Sequence, residues 1–286
     1  MTEERRGLGP WMLLAIVIGF YYIFYSFFGV TPKYWMKEAN MKGMAFSYHS
    51  TVGGMLLAMM IVFAMGWHKR LREKSDKPRI WGGWFTAESA ITLPSGICTA
   101  VVIFTTVYLY TLGKVVVAMI IMRGSLLVIG RLVDIVLQAQ GIRRQEVYWQ
   151  STVAVSFGLI AVASLLYFSW TTGKGIFAVP GVVPTMLMYV GAYAVRQYIM
   201  ALYKEKNKGD SYDMVAFFGA EQYWAFMSTL LFATVVFSAV ALGWQNPQAM
   251  VAFEAFRNTD GVAVLTCLPY GLIAFVSVFI FMFEAG

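Results

Sequence analysis

Polar positions along the chain are confined to short intervals between long apolar runs, and eight of those runs reach roughly twenty residues or more. They extend approximately from Pro10 to Val30, Met44 to Trp67, Ile91 to Gly113, Val115 to Leu137, Tyr148 to Trp170, Val179 to Tyr203, Met214 to Trp244 and Val262 to Glu284. A bilayer core of about 30 Å takes roughly 20 helical residues at about 1.5 Å each, so each run predicts one membrane-crossing helix. A membrane barrel would show alternating segments of about ten residues instead. The third and fourth runs are separated by little more than Gly113 and Lys114, which predicts a tight turn. The expected class is an all-α polytopic membrane protein with eight transmembrane helices.

Composition strengthens this expectation. Of 286 residues, 59% are hydrophobic and 13% charged, against about half and about a quarter in soluble domains. Disordered, collagen-like and soluble globular classes are thereby excluded. Cys98 and Cys267 lie in apolar surroundings, as small buried hydrophobes do. The net charge of +7 reads as topology. With the N-terminus cytoplasmic, that side carries thirteen of the lysines and arginines, including the cluster from Lys69 to Arg79, and the other side carries six. The first run is too long for a signal-peptide core and is expected to be retained as a span. A basic cytoplasmic face is expected to touch anionic lipid, with no nucleic-acid partner.

The chain also matches itself weakly at a constant shift. Leu93-Pro94-Ser95-Gly96-Ile97 aligns with Leu268-Pro269-Tyr270-Gly271-Leu272, and the same shift pairs Val101 with Val276 and Phe104 with Phe279. At nearly that shift Pro10, Met12 and Leu13 match Pro184, Met186 and Leu187, and Ala45 and Tyr48 match Ala220 and Tyr223. Spans one to three then correspond to spans six to eight, and the repeating unit has five helices. An odd number of crossings turns the second copy upside down, the inverted-repeat plan of many secondary transporters. Residues 1–175 form the first unit and 176–286 an incomplete second one, so the expectation is a ten-helix carrier fold lacking its last two helices.

Ionisable residues inside spans are costly, about 2.5 to 3.5 kcal/mol each at a helix centre, and tend to face a cavity or a partner. The fourth span carries Lys114 at its outer end, Arg123 about 13 Å below it, and then Arg131 and Asp134. Arg123 is the residue hardest to explain as a surface charge; it either meets a substrate or is satisfied by a neighbouring helix. Gly124 and Gly130 would let another helix approach closely. Arg131 and Asp134, three residues apart, are expected to form a structural ion pair. In the second unit Arg196 follows Tyr193, and Glu221 lies about two turns into span seven. Arg196 is expected to pair structurally; Glu221 either joins it or serves the substrate by carrying a coupling proton. Tyr110 and Tyr193 are further candidates for a pocket wall. His49 and His68 stand at opposite ends of span two, too far apart to share a metal. No catalytic triad, paired-histidine motif, phosphate loop or dinucleotide fingerprint occurs, so neither an enzyme nor a cofactor is expected.

The passage from Leu93 through Tyr108-Leu109-Tyr110 and the turn at Lys114 to Met122-Arg123-Gly124-Ser125-Leu126-Leu127-Val128 resembles helices three and four of the drug/metabolite transporter superfamily. The nucleotide-sugar-transporter-like and EamA-like branch is the most similar. The stretch to Gly141, the basic turn Arg143-Arg144 and Trp149 fit the same pattern, and the resemblance covers roughly Leu93 to Leu166. It implies ten helices in two inverted units, both ends cytoplasmic, and a central cavity faced by Arg123 and Ser125, with Lys114 near its outer mouth. The chain departs from that pattern in its missing last helices and in the long basic loop between Trp67 and Trp84.

Two functions are therefore expected. The first is a secondary carrier of a small, anionic organic metabolite, since a guanidinium fork suits carboxylate or phosphate. The second is a non-transporting structural subunit of a larger membrane complex, in which other membrane subunits would cover the open side of the bundle.

Overall fold

The computed structural model describes residues 10–67, 89–112, 115–142, 149–171, 176–206, 211–273 and 276. These residues are helical nearly throughout and contain no strand. The helices are α1 (Pro10–Lys37), α2 (Gly43–Ala64), α3 (Ser89–Leu112), α4 (Val115–Ala139) and α5 (Trp149–Thr171), then α6 (Val182–Lys206), α7 (Ser211–Ala241), α8 (Pro247–Arg257) and α9 (Gly261–Thr266). A single 3-10 turn, Ile176–Ala178, precedes α6.

Among the described residues five stretches are long and apolar enough to cross a bilayer: Leu14–Lys37, Gly43–Ala64, Ile91–Leu112, Val115–Ala139 and Val215–Ala241. They make the chain an integral membrane protein. Helices are the form such segments take because lipid supplies no hydrogen-bond partner and the backbone must satisfy itself. Their outer faces carry Phe20, Tyr22, Ile23, Leu231 and Phe232, all exposed, as lipid-facing surfaces do.

Two differences from the apolar pattern concern the second half. The interval between Trp244 and Val262, expected as a connection, contains α8. Asn246 caps it by accepting from the Gln248 and Ala249 amides at 3.0 and 3.1 Å, with Pro247 in the first turn. The eighth run begins as α9, capped by Asp260, turns at Cys267 and continues helically to Ile273; the expected stretch from there to Glu284 lies outside the described residues except for residue 276. Helix α7 ends at Gly243, whose φ of +102 is open to glycine, and the Trp244 amide closes the end on the Ala239 carbonyl at 2.9 Å.

Helix α3 is the centre of the bundle, with α6, α7 and α2 packed on it and α1 and α4 alongside. A close approach is made at Gly96: a Cβ there would lie 2.5 Å from Trp224 Cβ and 2.9 Å from the Ala225 nitrogen. On the other side of the bundle, α2 meets the α9 segment through Gly53, Gly54 and Gly271. A Cβ on Gly271 would lie 2.5 Å from the Gly54 carbonyl oxygen. Side-chain hydrogen bonds reinforce the same junction. Trp35 Nε1 donates to Thr266 Oγ1 at 3.0 Å, Ser50 Oγ to Cys267 Sγ at 3.0 Å, and the Asp260 amide to His49 Nε2 at 3.0 Å. Gly124 faces α5, where a Cβ would meet Val162 Cγ2 at 2.3 Å, so this glycine does admit a neighbouring helix; at Gly130 the contact is ordinary.

Candidate functional site

The largest buried cluster among the described residues combines aliphatic side chains with the aromatic rings of Tyr25, Phe28, Phe46, Tyr110, Tyr189 and Tyr270. A cavity of about 80 Å³ opens beside it, bordered by α1, α3, α4, α6, α7 and the α9 segment. Five tyrosines line it: Tyr21, Tyr25, Tyr189, Tyr193 and Tyr270. They come in helical pairs four residues apart, so that one face of α1 presents Tyr21 and Tyr25 and one face of α6 presents Tyr189 and Tyr193. Ring centroids are 5.6 Å apart within each pair.

Arg123 enters this space from α4. Its Cζ lies 4.4 Å from the Tyr25 ring centroid and 5.4 Å from that of Tyr21. Among the described residues no carboxylate comes within ion-pair distance of it. The side chain is crowded by rings yet exposed, and it lines the cavity. A cation over an aromatic face gains about 0.5 to 2 kcal/mol. Two rings therefore offset much of the roughly 2.5 to 3.5 kcal/mol cost of an arginine in mid-span. They accept none of its N–H groups, so the edge of the fork stays available to a ligand.

Arg196 and Glu221 are arranged in the opposite way. Glu221 is fully buried and receives Arg196 Nε at 2.8 Å on Oε1 and Arg196 Nη2 at 3.1 Å on Oε2. Oε1 also accepts from Ser95 Oγ at 2.5 Å and Thr99 Oγ1 at 2.9 Å. One carboxylate thus ties together α3, α6 and α7, which explains how a charge survives there. Arg196 also lines the cavity and lies 5.9 Å from the Tyr193 ring. Gln222, the next residue on α7, lines the cavity too. It is 3% exposed, and its Oε1 is buried without a hydrogen-bond partner.

At the far end the Tyr25 and Tyr110 hydroxyls hydrogen-bond each other, and Phe28 stacks on Tyr270 with centroids 4.4 Å apart. Tyr270 in turn donates to the Ile103 carbonyl at 3.1 Å. On α3 the Glu221 contacts begin at Ser95 and the tyrosine contact lies at Tyr110. Fifteen residues at about 1.5 Å separate them by about 22 Å, and the cavity residues Thr99, Val102, Ile103 and Thr106 lie between.

The residues expected from sequence are brought together unevenly. Arg123, Tyr193 and Arg196 line the cavity; Tyr110 and Glu221 stand behind it, at opposite ends. Ser125 does not line it, and its hydroxyl donates to the Met122 carbonyl of its own helix at 2.8 Å. Lys114 lies outside the described residues. Arg131 Nη1 is buried without a hydrogen-bond partner, while Asp134 has an interaction of its own. Tyr189, Tyr270 and Gln222 were not singled out by sequence reasoning. The repetition of Tyr189 and Tyr193 at helical spacing was the available signal for the first of them. Among the described residues no group of histidine, cysteine and acidic side chains has the makings of a metal site. Compared with protein-family models, curated proteins and solved structures, the chain matches none.

Proposed function

We propose that the protein is a secondary carrier that moves a small organic anion across the membrane by alternating access. The observation that carries this reading is Arg123: an accessible guanidinium in mid-span, held over two tyrosine rings, without a carboxylate among the described residues, at the edge of a tyrosine-lined cavity. A guanidinium so placed is expensive unless it has a task, and its planar fork matches a carboxylate or phosphate. The lipid bilayer and this small-molecule substrate are the partners the reading requires.

In this reading eight segments cross the membrane with the N-terminus cytoplasmic, and α1, α2 and α3 repeat, inverted, as α6, α7 and the α9 segment. The packing supports such a relation. Gly96 and Gly271 occupy matching positions of the internal alignment. Gly96 seats α3 on α7, and Gly271 seats the α9 segment on α2. Exchanging the two units converts the first of these contacts into the second, as a two-fold axis in the membrane plane demands. The Arg196–Glu221 network, which joins α3 of one unit to α6 and α7 of the other, then acts as the closure on the cytoplasmic side. The contacts among Tyr25, Tyr110, Phe28 and Tyr270 close the opposite side.

Reconstitution into proteoliposomes tests the proposal by uptake or counterflow of radiolabelled organic anions. Wild-type protein is expected to transport at least one of them, and Arg123→Ala to lose that transport while retaining its helical content by circular dichroism. Equal transport by the two proteins would remove the anion site and the reading with it.

A further inference from the structure

The cavity has features that narrow the kind of anion it takes, and this inference rests on the carrier reading. We propose that the site is built for a short hydroxylated monocarboxylate, with its carboxylate on the Arg123 fork and a neutral hydroxyl on the Gln222 amide.

Charge sets the first condition. Two guanidinium groups line the cavity, but Arg196 is neutralised by a bidentate bond to Glu221, so among the described residues a single uncompensated positive charge remains, on Arg123. One such charge matches a monoanion. A dianion would carry an unmatched negative charge into mid-membrane, where it is most costly.

Hydrogen bonding sets the second. Gln222 is a neutral amide whose Oε1 is buried with no partner although the side chain lines the cavity, and a buried unsatisfied oxygen calls for a donor. An ammonium group would donate, but it would sit among two guanidinium groups, and among the described residues the one carboxylate beside the cavity, Glu221, is already bonded to Arg196, Ser95 and Thr99. A hydroxyl carries no charge and both donates and accepts, so it satisfies either end of an amide. The zwitterion of the same skeleton is therefore disfavoured relative to the hydroxy acid.

Size sets the third. A volume of about 80 Å³ is about half of the roughly 150 Å³ that takes up a benzene molecule, so only the smallest organic anions suit it. Lactate and glycerate are among the smallest hydroxylated monocarboxylates, and a nucleotide sugar, the cargo suggested by the branch that the fourth helix resembles, is far too large.

The test is equilibrium binding to the full-length protein in nanodiscs by isothermal titration, with lactate, propionate, alanine and UDP-glucose as probes. Lactate is expected to bind, propionate to bind at least about tenfold more weakly, and alanine and UDP-glucose to give no saturable heat. Gln222→Leu, with Gln222→Met as a second variant should the first fold poorly, is expected to lower lactate affinity to that of propionate and leave propionate unchanged. A merely structural role for Gln222 would weaken both ligands alike and overturn the assignment. So would alanine binding as tightly as lactate, or UDP-glucose binding at all. If lactate fails to bind while uptake of another anion still depends on Arg123, the hydroxy-acid assignment falls and the carrier reading stands. If uptake of no anion depends on Arg123, both fall.

Discussion

Replacing Glu221 by alanine would remove the acceptor of four hydrogen bonds at once and leave the Arg196 guanidinium buried with neither counter-charge nor partner. The two bonds from Arg196 are charge-assisted, worth about 1.5 to 3 kcal/mol each, and the two hydroxyl bonds also end on a charged oxygen. Part of that sum is returned when Ser95 and Thr99 turn to carbonyls of their own helix, a habit that Thr105 and Thr106 already show. What is not returned is the desolvation of Arg196, which is 8% exposed. Breaking a buried pair from one side generally costs about 3 to 5 kcal/mol, and Glu221→Ala is expected in that range. The assay is a double-mutant cycle in mixed micelles, with unfolding by sodium dodecyl sulfate followed by helical circular dichroism. Arg196→Met combined with Glu221→Leu removes both charges and should cost less than either single change, so the coupling is expected to exceed about 2 kcal/mol. If the two single costs simply add, or if Glu221→Ala costs under about 1 kcal/mol, then Glu221 does not hold the three helices together. The cytoplasmic closure assigned to it would then be wrong.

Two further perturbations probe the packing that surrounds the site. Gly96→Ala drives a methyl group to within 3 Å of α7 backbone and of Trp224, and Gly271→Ala does the same against the Gly54 carbonyl; each is expected to destabilise the bundle by about 1 to 3 kcal/mol in the same micellar unfolding assay, and a silent outcome at either would contradict the close approach there. At α8, Asn246→Ala deletes the side-chain oxygen that receives the Gln248 and Ala249 amides, for an expected loss of about 1 kcal/mol. That loss should appear as faster amide hydrogen exchange confined to residues 248–250, and unchanged exchange would show that the cap is not used.

Much of the architecture was legible before any coordinate. The long apolar runs predicted α1 to α7 to within a few residues at most ends, because a segment that crosses lipid must bond its own backbone and can do so only as a helix. The main exception is α1, which continues through Pro32 to Lys37 rather than stopping near Val30. Helix α8 was missed although Asn246-Pro247 is a recognisable start signal; its eleven residues are too few to cross a membrane and so escaped a reading made by length. Of the site, Arg123 stood out because a guanidinium in mid-span has no innocent explanation on the surface of a soluble-style helix. Gln222, Tyr189 and Tyr270 did not, since an amide or a tyrosine in an apolar run is common and its cost depends wholly on what lies opposite.

The boundary between the two kinds of knowledge follows from the solvent. In water, the polar stripe of a helix reveals which face is outward, and periodicity then orients each element. In lipid the outward face is apolar as well, so residues such as Phe20 and Leu231 on the surface look like Phe28 and Leu109 in the core. Sequence alone therefore determined that the chain is a set of membrane helices, about where each begins and ends, and which charges lie inside them. Only the packing decided that Arg123 meets tyrosines while Arg196 meets Glu221. Helix-to-helix contact depends on rotation about each axis, and a uniformly greasy cylinder carries no mark of how it is turned.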